Sequence, residues 1–508
     1  MTGPVEPPVR TGRRRSPDDS DHPALVAGRA RRATLHPVRG RWIAVSTVVV
    51  TVAAVAVIAA ARPPSAAVPA PGLADAVGVP PAGAYSSSAF CPTGTGTAAA
   101  ATIFLTNSSS GRVNGTMTSI GQASASGTVP TVQRSVSVPA RGTAAVDPSQ
   151  GLPAGDTATS FTFDGGGVVA DQVVTGGGSW STAPCASQPS AQWAFAGGST
   201  QAGHALSLSL LNPSSTPAVV DVSFLTPSGQ VAPQAYQGLV VPAGHLVVEN
   251  LGDYVQDASA IATFVVSQSG TLVASEFQQW SSGPAGGVSL QLGAPALSDT
   301  WRFAQTTNTP KSTVDFILAN PTNAAVTATA LVGLSSGSVM PRQVVVPPES
   351  TQVFVASSPG GLPPSVPSSV TFESATPLVV GRAVQAPAGS TPPGWGASRG
   401  TVTVATRWVV PGPGVPNAPG TAGATAASLA LADPGPDPVR VRVAVLGSGR
   451  TVAVVTVAPG RLTVLGPKVV AGLSVLTVTA GSPVFVEEDC GPAGSPGVVS
   501  STGFPVVG

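Results

Sequence analysis

The stretch Leu208–Leu225, LSLLNPSSTPAVVDVSFL, decides how the chain is read. On either side of its Asn-Pro turn, apolar residues alternate with Ser and Asp, the period-2 pattern of two strands joined by a short connection. Asn212 suits the turn because its side chain accepts a hydrogen bond from the backbone two residues on. The same string returns as TIFLTNSSSGRVNGTMTSI (102–120), FILANPTNAAVTATAL (316–331) and LALADPGPDPVRVRVAVL (429–446). Counted from Asn107, the steps are 105, 108 and 113 residues. A second landmark keeps the same step, a Val-rich strand interrupted at Pro139, Pro242, Pro347 and Pro459, and its steps are 103, 105 and 112. A third follows in each copy, a closing hairpin such as ATFVVSQSGTLVASEFQ (262–278).

Landmarks that keep step through four copies define a tandem repeat. Within a copy the segments are short, rich in Val, Thr, Leu and Phe, and separated by Gly, Pro, Asn and Ser. About six or seven strands in about 105 residues predicts a two-sheet sandwich of the immunoglobulin or fibronectin type. A propeller blade needs only about 40 to 50 residues, so this period argues against a propeller. The fold class expected is therefore all-β, with four tandem immunoglobulin/fibronectin-like β-sandwich repeats after one N-terminal transmembrane helix. The repeats are placed at 85–190, 191–297, 298–400 and 401–508.

The helix is read at residues 42–61, WIAVSTVVVTVAAVAVIAAA, twenty residues free of charge, Pro and Gly. At about 1.5 Å per residue they span a hydrocarbon core of about 30 Å. Residues 1–41 hold nine Arg against Glu6, Asp18, Asp19 and Asp21, which puts the N-terminus in the cytoplasm and the repeats outside. A cleaved signal peptide is the competing reading, disfavoured by the long apolar run and the long tail before it. Residues 62–84, rich in Pro and Ala, read as a stiff stalk.

Charge and composition narrow the function. Only 9% of the 508 residues are charged, too few for a polyelectrolyte tail, a charged coiled coil or a basic nucleic-acid binder. The net charge of +1 hides a polarity: +5 in the tail, −4 beyond the span, and −10 between residues 142 and 301, which contain no Lys or Arg. Such an acidic surface favours a basic partner, a divalent cation or simple solubility.

Chemistry-bearing residues are few. Cys91 and Cys185 bracket the first repeat, so in an oxidising compartment a disulfide is expected to join its first and last strands, leaving Cys490 as a buried thiol. Trp193, Trp301 and Trp408 open the second, third and fourth repeats as core or interdomain anchors, with a sugar-stacking platform as the alternative. His204 and His245 sit outside any metal-binding pattern and read as turn residues. Gly396–Gly400, GASRG, matches the GxSxG string but lies in a Pro/Gly-rich junction with no His after it. Glu487, Glu488 and Asp489 form the densest acidic cluster, and neighbours on a strand face opposite ways. No catalytic, metal or cofactor site is assigned, and no nucleic-acid partner or small-molecule substrate is expected.

The basic tail, single span, Pro/Ala stalk and the motif W-x-F-A-x-G-S-T followed by L-L-N-P-x-x-x-x-A-x-V resemble an uncharacterised actinobacterial family of membrane-anchored envelope proteins. Trp193, Phe195, Ala196, Gly198, Ser199 and Thr200, then Leu210, Leu211, Asn212, Pro213, Ala218 and Val220, carry the motif. It is full only in the second repeat: the third keeps Trp301, Phe303, Ala304, Asn320 and Pro321, and the fourth has Asp433-Pro434 in place of Asn-Pro. The resemblance implies location and architecture and transfers no catalytic residue. The function expected is a non-enzymatic envelope scaffold or interaction protein with an envelope-protein or wall-polysaccharide partner. The alternatives are a carbohydrate-binding accessory of wall synthesis and, remotely, a wall hydrolase.

Overall fold

The computed structural model describes residues 77–508 except 178, 283–284, 308–311, 338, 387–393, 412–425, 471–472, 474, 492–498 and 507–508. The basic tail, the apolar run at 42–61 and most of the Pro/Ala segment lie outside the described residues. Among those described, no helix is long and apolar enough to cross a membrane.

The chain is all-β. The first repeat supplies β1 (Ser87–Pro92), β2 (Ala100–Asn107), β3 (Val113–Gly121), β4 (Thr131–Val138), β5 (Gly142–Val146), β6 (Thr157–Phe163), β7 (Val168–Gly176) and β8 (Ser179–Pro184). They form two antiparallel sheets, β1-β6-β3-β4 and β5-β2-β7-β8. The second repeat has β9 (Gln192–Gly198), β10 (His204–Leu211), β11 (Ala218–Thr226), β12 (Gly229–Val231), β13 (Leu239–Val241), β14 (Leu246–Asn250), β15 (Ile261–Ser269), β16 (Val273–Ser282) and β17 (Ala285–Leu292). Its sheets are β12-β11-β15-β9, with β13 also on β11, and β14-β10-β16-β17.

The third repeat runs through β18 (Ser298–Thr306), β19 (Thr313–Asn320), β20 (Val326–Leu334), β21 (Arg342–Val346), β22 (Ser350–Val355), β23 (Ser368–Ala386) and β24 (Gly394–Arg399). The fourth has β25 (Ala405–Pro411), β26 (Ala426–Ala432), β27 (Val439–Val445), β28 (Thr451–Val457), β29 (Leu462–Leu465), α1 (Pro467–Val470), β30 (Val475–Gly491), β31 (Val499–Thr502) and β32 (Phe504–Pro505). Here the sixth and seventh strands fuse: the first half of β23 pairs with β18 and β20, and its second half with β19 and β24. β30 is divided in the same way between β25 and β27 on one side and β26 and β31 on the other.

Each repeat therefore makes two antiparallel sheets of recurring order, with β13 and β32 as additional strands in the second and fourth repeats, and this corrects the expectation of separate immunoglobulin-like sandwiches. The strand order is not the immunoglobulin one, and the sheets are like the blades of a propeller. Each repeat folds into two sheets, so the residues per sheet fall in the blade range that the whole repeat exceeds. Apolar cores fill both kinds of inter-sheet space. Ile103, Leu105, Phe161 and Phe163 lie between the two sheets of the first repeat, while Ala194, Ala196 and Phe264 of the second repeat join the core of the third. The last strands of the repeats meet: β17 lies against β8 and β24, and β31 against the same two.

The segment expected to end a stalk is not one. Val77 and Val79 are buried, Val79 bridges Val506 in parallel, and the Gly167 amide donates to the Pro80 carbonyl. β32 in turn pairs with β25, so the first and fourth repeats are tied through their outlying segments. Two alternating valines have a buried face to fill, which a solvated stalk would leave exposed.

The sequence landmarks keep step because they touch. Asn212 donates from Nδ2 to the Thr216 carbonyl at 2.8 Å and to the Val241 carbonyl, just before Pro242, at 2.9 Å, while its Oδ1 accepts from the Ser214 amide at 3.0 Å. Asn107 reaches Gly111, Val138 and Pro139 in the same way, and Asn320 reaches Ala324, Val346 and Pro347. Each of these three asparagines is fully buried. Asp433 has no amide to donate, so it keeps only the acceptor half, from the Gly435 amide at 2.8 Å, and its Oδ2 is buried without a partner. Replacing a donor so that buried carbonyls go unpaired costs about 1–3 kcal/mol. Asn320→Asp should therefore lower the midpoint of urea unfolding by an amount in that range, whereas Asp433→Asn should raise it.

Candidate functional site

The three landmark tryptophans are buried, each 1% exposed. The indole Nε1 of Trp193 donates to the Leu272 carbonyl at 2.7 Å, that of Trp301 to Leu378 at 3.0 Å, and that of Trp408 to Val484 at 3.1 Å. All three acceptors sit at the corner between the sixth and seventh strands, so each ring pins the opening strand to that corner. Faces packed in this way are not available to stack on a sugar. Cys91 and Cys185 are joined in a disulfide that ties β1 to the end of β8. The side chain of Cys490 lies outside the described residues.

The remaining motif residues cluster where the repeats meet. On the seventh strand, Ser275, Gly381 and Glu487 occupy one register position and face the opening strand of the preceding repeat. Ser275 donates to the Pro92 carbonyl. Gly381 brings β23 so close to β9 that an added Cβ would fall 2.0 Å from the Ala196 carbonyl oxygen. Glu487 accepts from the Ala304 and Gln305 amides at 2.8 and 3.1 Å and pairs with Arg382 in a buried ion pair. The Arg382 guanidinium also donates to Thr306 Oγ1 at 3.1 Å and Ser398 Oγ at 3.0 Å, and lies 5.4 Å from the centre of the Phe303 ring.

Ser398, the serine of the GxSxG string, is thus held by an arginine on an antiparallel strand. It is not placed on a strand-to-helix turn beside a histidine. The space between the four last strands is a cavity of about 30 Å³, lined by Thr182, Leu290, Gln291, Ala397, Ser398 and Ser500. That is room for water and too little for a substrate.

Three buried acids surround these junctions. Burial pushes the Asp171 carboxyl up to about 7 from 3.8, against the pull of the Thr182 hydroxyl, which donates to Oδ2 at 2.5 Å. Burial likewise raises Glu276 to about 7, although Gln291 donates to it at 3.0 Å. Asp489 is pushed up to about 7 by burial and by the neighbouring Glu487, with Arg382 opposing.

A larger cavity, of about 170 Å³, opens at the seam between the second and third repeats. Its walls come from the end of β9 (Gly197, Gly198), the start of β10 (His204), the Ser259–Ala260 loop, and β19, β23 and β24, which contribute Asp315, Gln385 and Trp395. Gly197 adopts φ +110°, which only glycine takes readily, and Ala260 is held at φ 52°. The His204 ring meets Trp395 edge-on at 6.0 Å and Trp280 at 6.5 Å. Burial lowers the His204 pKa, so its imidazole is neutral near pH 7, and its Nδ1 is buried without a hydrogen-bond partner. Asp315 Oδ1 is in the same condition, and burial raises its carboxyl pKa.

His204, read from sequence as a turn residue, therefore lines a cavity. His245 keeps that reading, with Nδ1 2.8 Å from the Ala243 carbonyl of its own turn. No motif or repeat spacing marks Asp315, Gln385 and Trp395. The available signals were an acid inside the apolar run VDFIL and a tryptophan away from the landmark positions.

Residues 167–297 match a family of unknown function (DUF5719). The match covers β7 and β8 of the first repeat and the whole of the second, the repeat in which the sequence motif is full. The resemblance to an uncharacterised family is thus borne out over that stretch. No curated protein matches the chain.

The raised acids fix a direction for pH dependence. An acid whose folded pKa lies above its unfolded value stabilises the fold fully below the unfolded value, and that contribution is lost as pH rises through the folded one. For Asp171 and Glu276 the window runs from about 4 to about 7. The melting temperature should fall between pH 5 and pH 7.5, and the double variant Asp171→Asn, Glu276→Gln should flatten that slope in calorimetric scans.

Proposed function

We propose that the protein is a non-enzymatic scaffold or interaction protein of the cell envelope, held in the membrane by residues 42–61 with its basic tail in the cytoplasm and its repeats outside. In this reading the segments 85–190, 191–297, 298–400 and 401–508 are the tandem modules it displays, and an envelope protein or wall polysaccharide is its partner. The observation that carries the proposal is the use of the chain's distinctive side chains as struts. The tryptophan indoles donate to strand corners, Arg382 and Glu487 bind the third repeat to the fourth, and the Asn amides bind turn to strand. Groups committed in this way hold a surface in shape and are not free for proton transfer or nucleophilic attack.

The Cys91–Cys185 bond supports an oxidising compartment. The arginine-rich tail before the apolar run supports the same orientation. Buried landmark tryptophans favour the interaction reading over a sugar platform built on those rings.

Protease added to intact spheroplasts carrying a tag at each end tests the topology. The C-terminal tag should be digested and the N-terminal one protected, and protection of both would overturn the placement. Crosslinking in intact cells should then capture an envelope protein or wall polymer on the full chain.

A further inference from the structure

The seam cavity between the second and third repeats holds two polar atoms that lack partners. Asp315 Oδ1 and His204 Nδ1 are both buried, and neither has a hydrogen-bond partner. Leaving one such atom unpaired costs about 1–3 kcal/mol, and native folds avoid doing so twice in one place without a reason. Among the described residues lining the cavity, Asp315 is the one whose ordinary state is charged, and no Lys or Arg lines it. The second repeat, which forms one wall, lies within residues 142–301, a stretch without a single basic residue and with ten acids. Both the local carboxyl and the wider field therefore favour positive charge. Trp395 and Trp280 flank the imidazole, and indole rings attract cations.

We propose that this cavity binds a cationic group rich in N–H donors, a guanidinium or primary ammonium. Asp315 would accept its charge-assisted hydrogen bond and His204 Nδ1 a second. A neutral imidazole can offer Nδ1 as an acceptor when the proton sits on Nε2. The burial that keeps His204 neutral leaves one ring nitrogen able to accept and avoids a second positive charge beside the ligand. A bound cation would also return the Asp315 carboxyl toward its ionised form, offsetting the desolvation that raises its pKa. The cavity, about 170 Å³, accommodates the head of an arginine or lysine side chain or a small free amine. The two sources share one chemistry. The proposal goes beyond the scaffold reading and does not depend on where the protein resides.

Isothermal titration of the full chain in detergent micelles tests it, with arginine amide and n-butylamine as probes and citrulline amide as the uncharged isostere of the first, both amides being acetylated at the α-nitrogen so that only the side chain can carry charge. Arginine amide should bind saturably at one site, and citrulline amide at least ten-fold more weakly. Asp315→Asn should weaken arginine amide at least ten-fold while keeping a cooperative melt at or above the wild-type temperature, since it removes a desolvated carboxyl. His204→Leu, which cannot accept, should weaken the same probe, and a retained melt separates that effect from misfolding. A capped Ala-Arg-Ala peptide distinguishes the sources: tighter binding than arginine amide identifies a partner chain, and its exclusion while the amide still binds identifies a free amine. Absence of saturable binding by both amines up to about 10 mM, a range that covers even millimolar affinity, would overturn the proposal. So would equal affinity for citrulline amide, or an unchanged affinity in a folded Asp315→Asn protein.

Discussion

A buried asparagine amide governs the repeat. Its Nδ2 holds the carbonyl before the proline of a distant strand, and its Oδ1 closes the turn on which it sits. One side chain thereby fixes both the exit of the second strand and the height of the proline strand beside it. A primary amide can do this because it carries donors and an acceptor on one rigid plane, and a carboxylate cannot. Once that spacing is set, the tryptophan at the start of the copy finds the strand corner at the right distance, and the apolar faces of the two sheets close over each other.

The contacts between copies obey a different rule. Within a copy the landmarks recur in most copies, whereas at the seams each copy solves the close approach of two strands in its own way. Ser275 bonds a carbonyl, Gly381 removes its side chain altogether, and Glu487 accepts two amides and recruits an arginine. That variety lets near-identical units differ in what their seams can hold. It also places a 170 Å³ space between the second and third copies, where two glycines end the opening strand.

This difference explains what was legible in the sequence. Asn107, Asn212 and Asn320, the prolines and Trp193, Trp301 and Trp408 could be read because each set makes the same short-range or corner contact in three or more copies. The all-β class followed from alternation in strands such as β11. The arrangement of the sheets did not follow, because the period belongs to the whole repeat while the structure divides each repeat between two sheets. β23 and β30 hid that division by running unbroken through both. The cavity was invisible for a further reason: His204 belongs to one copy and Asp315, Gln385 and Trp395 to the next, and no spacing rule links residues brought together across a seam. In a repeat comparison such residues register only as departures from the pattern.

The parallel bridge between Val79 and Val506 bears on how the molecule is made. Val79 precedes the first repeat and its partner Val506 follows β32 of the fourth, so this contact forms only after every copy has been synthesised. A nascent or shortened product would present Val77, Val79 and Val409 to solvent, an apolar seam of the kind that proteases and chaperones recognise. The bridge therefore closes only when all four copies are present.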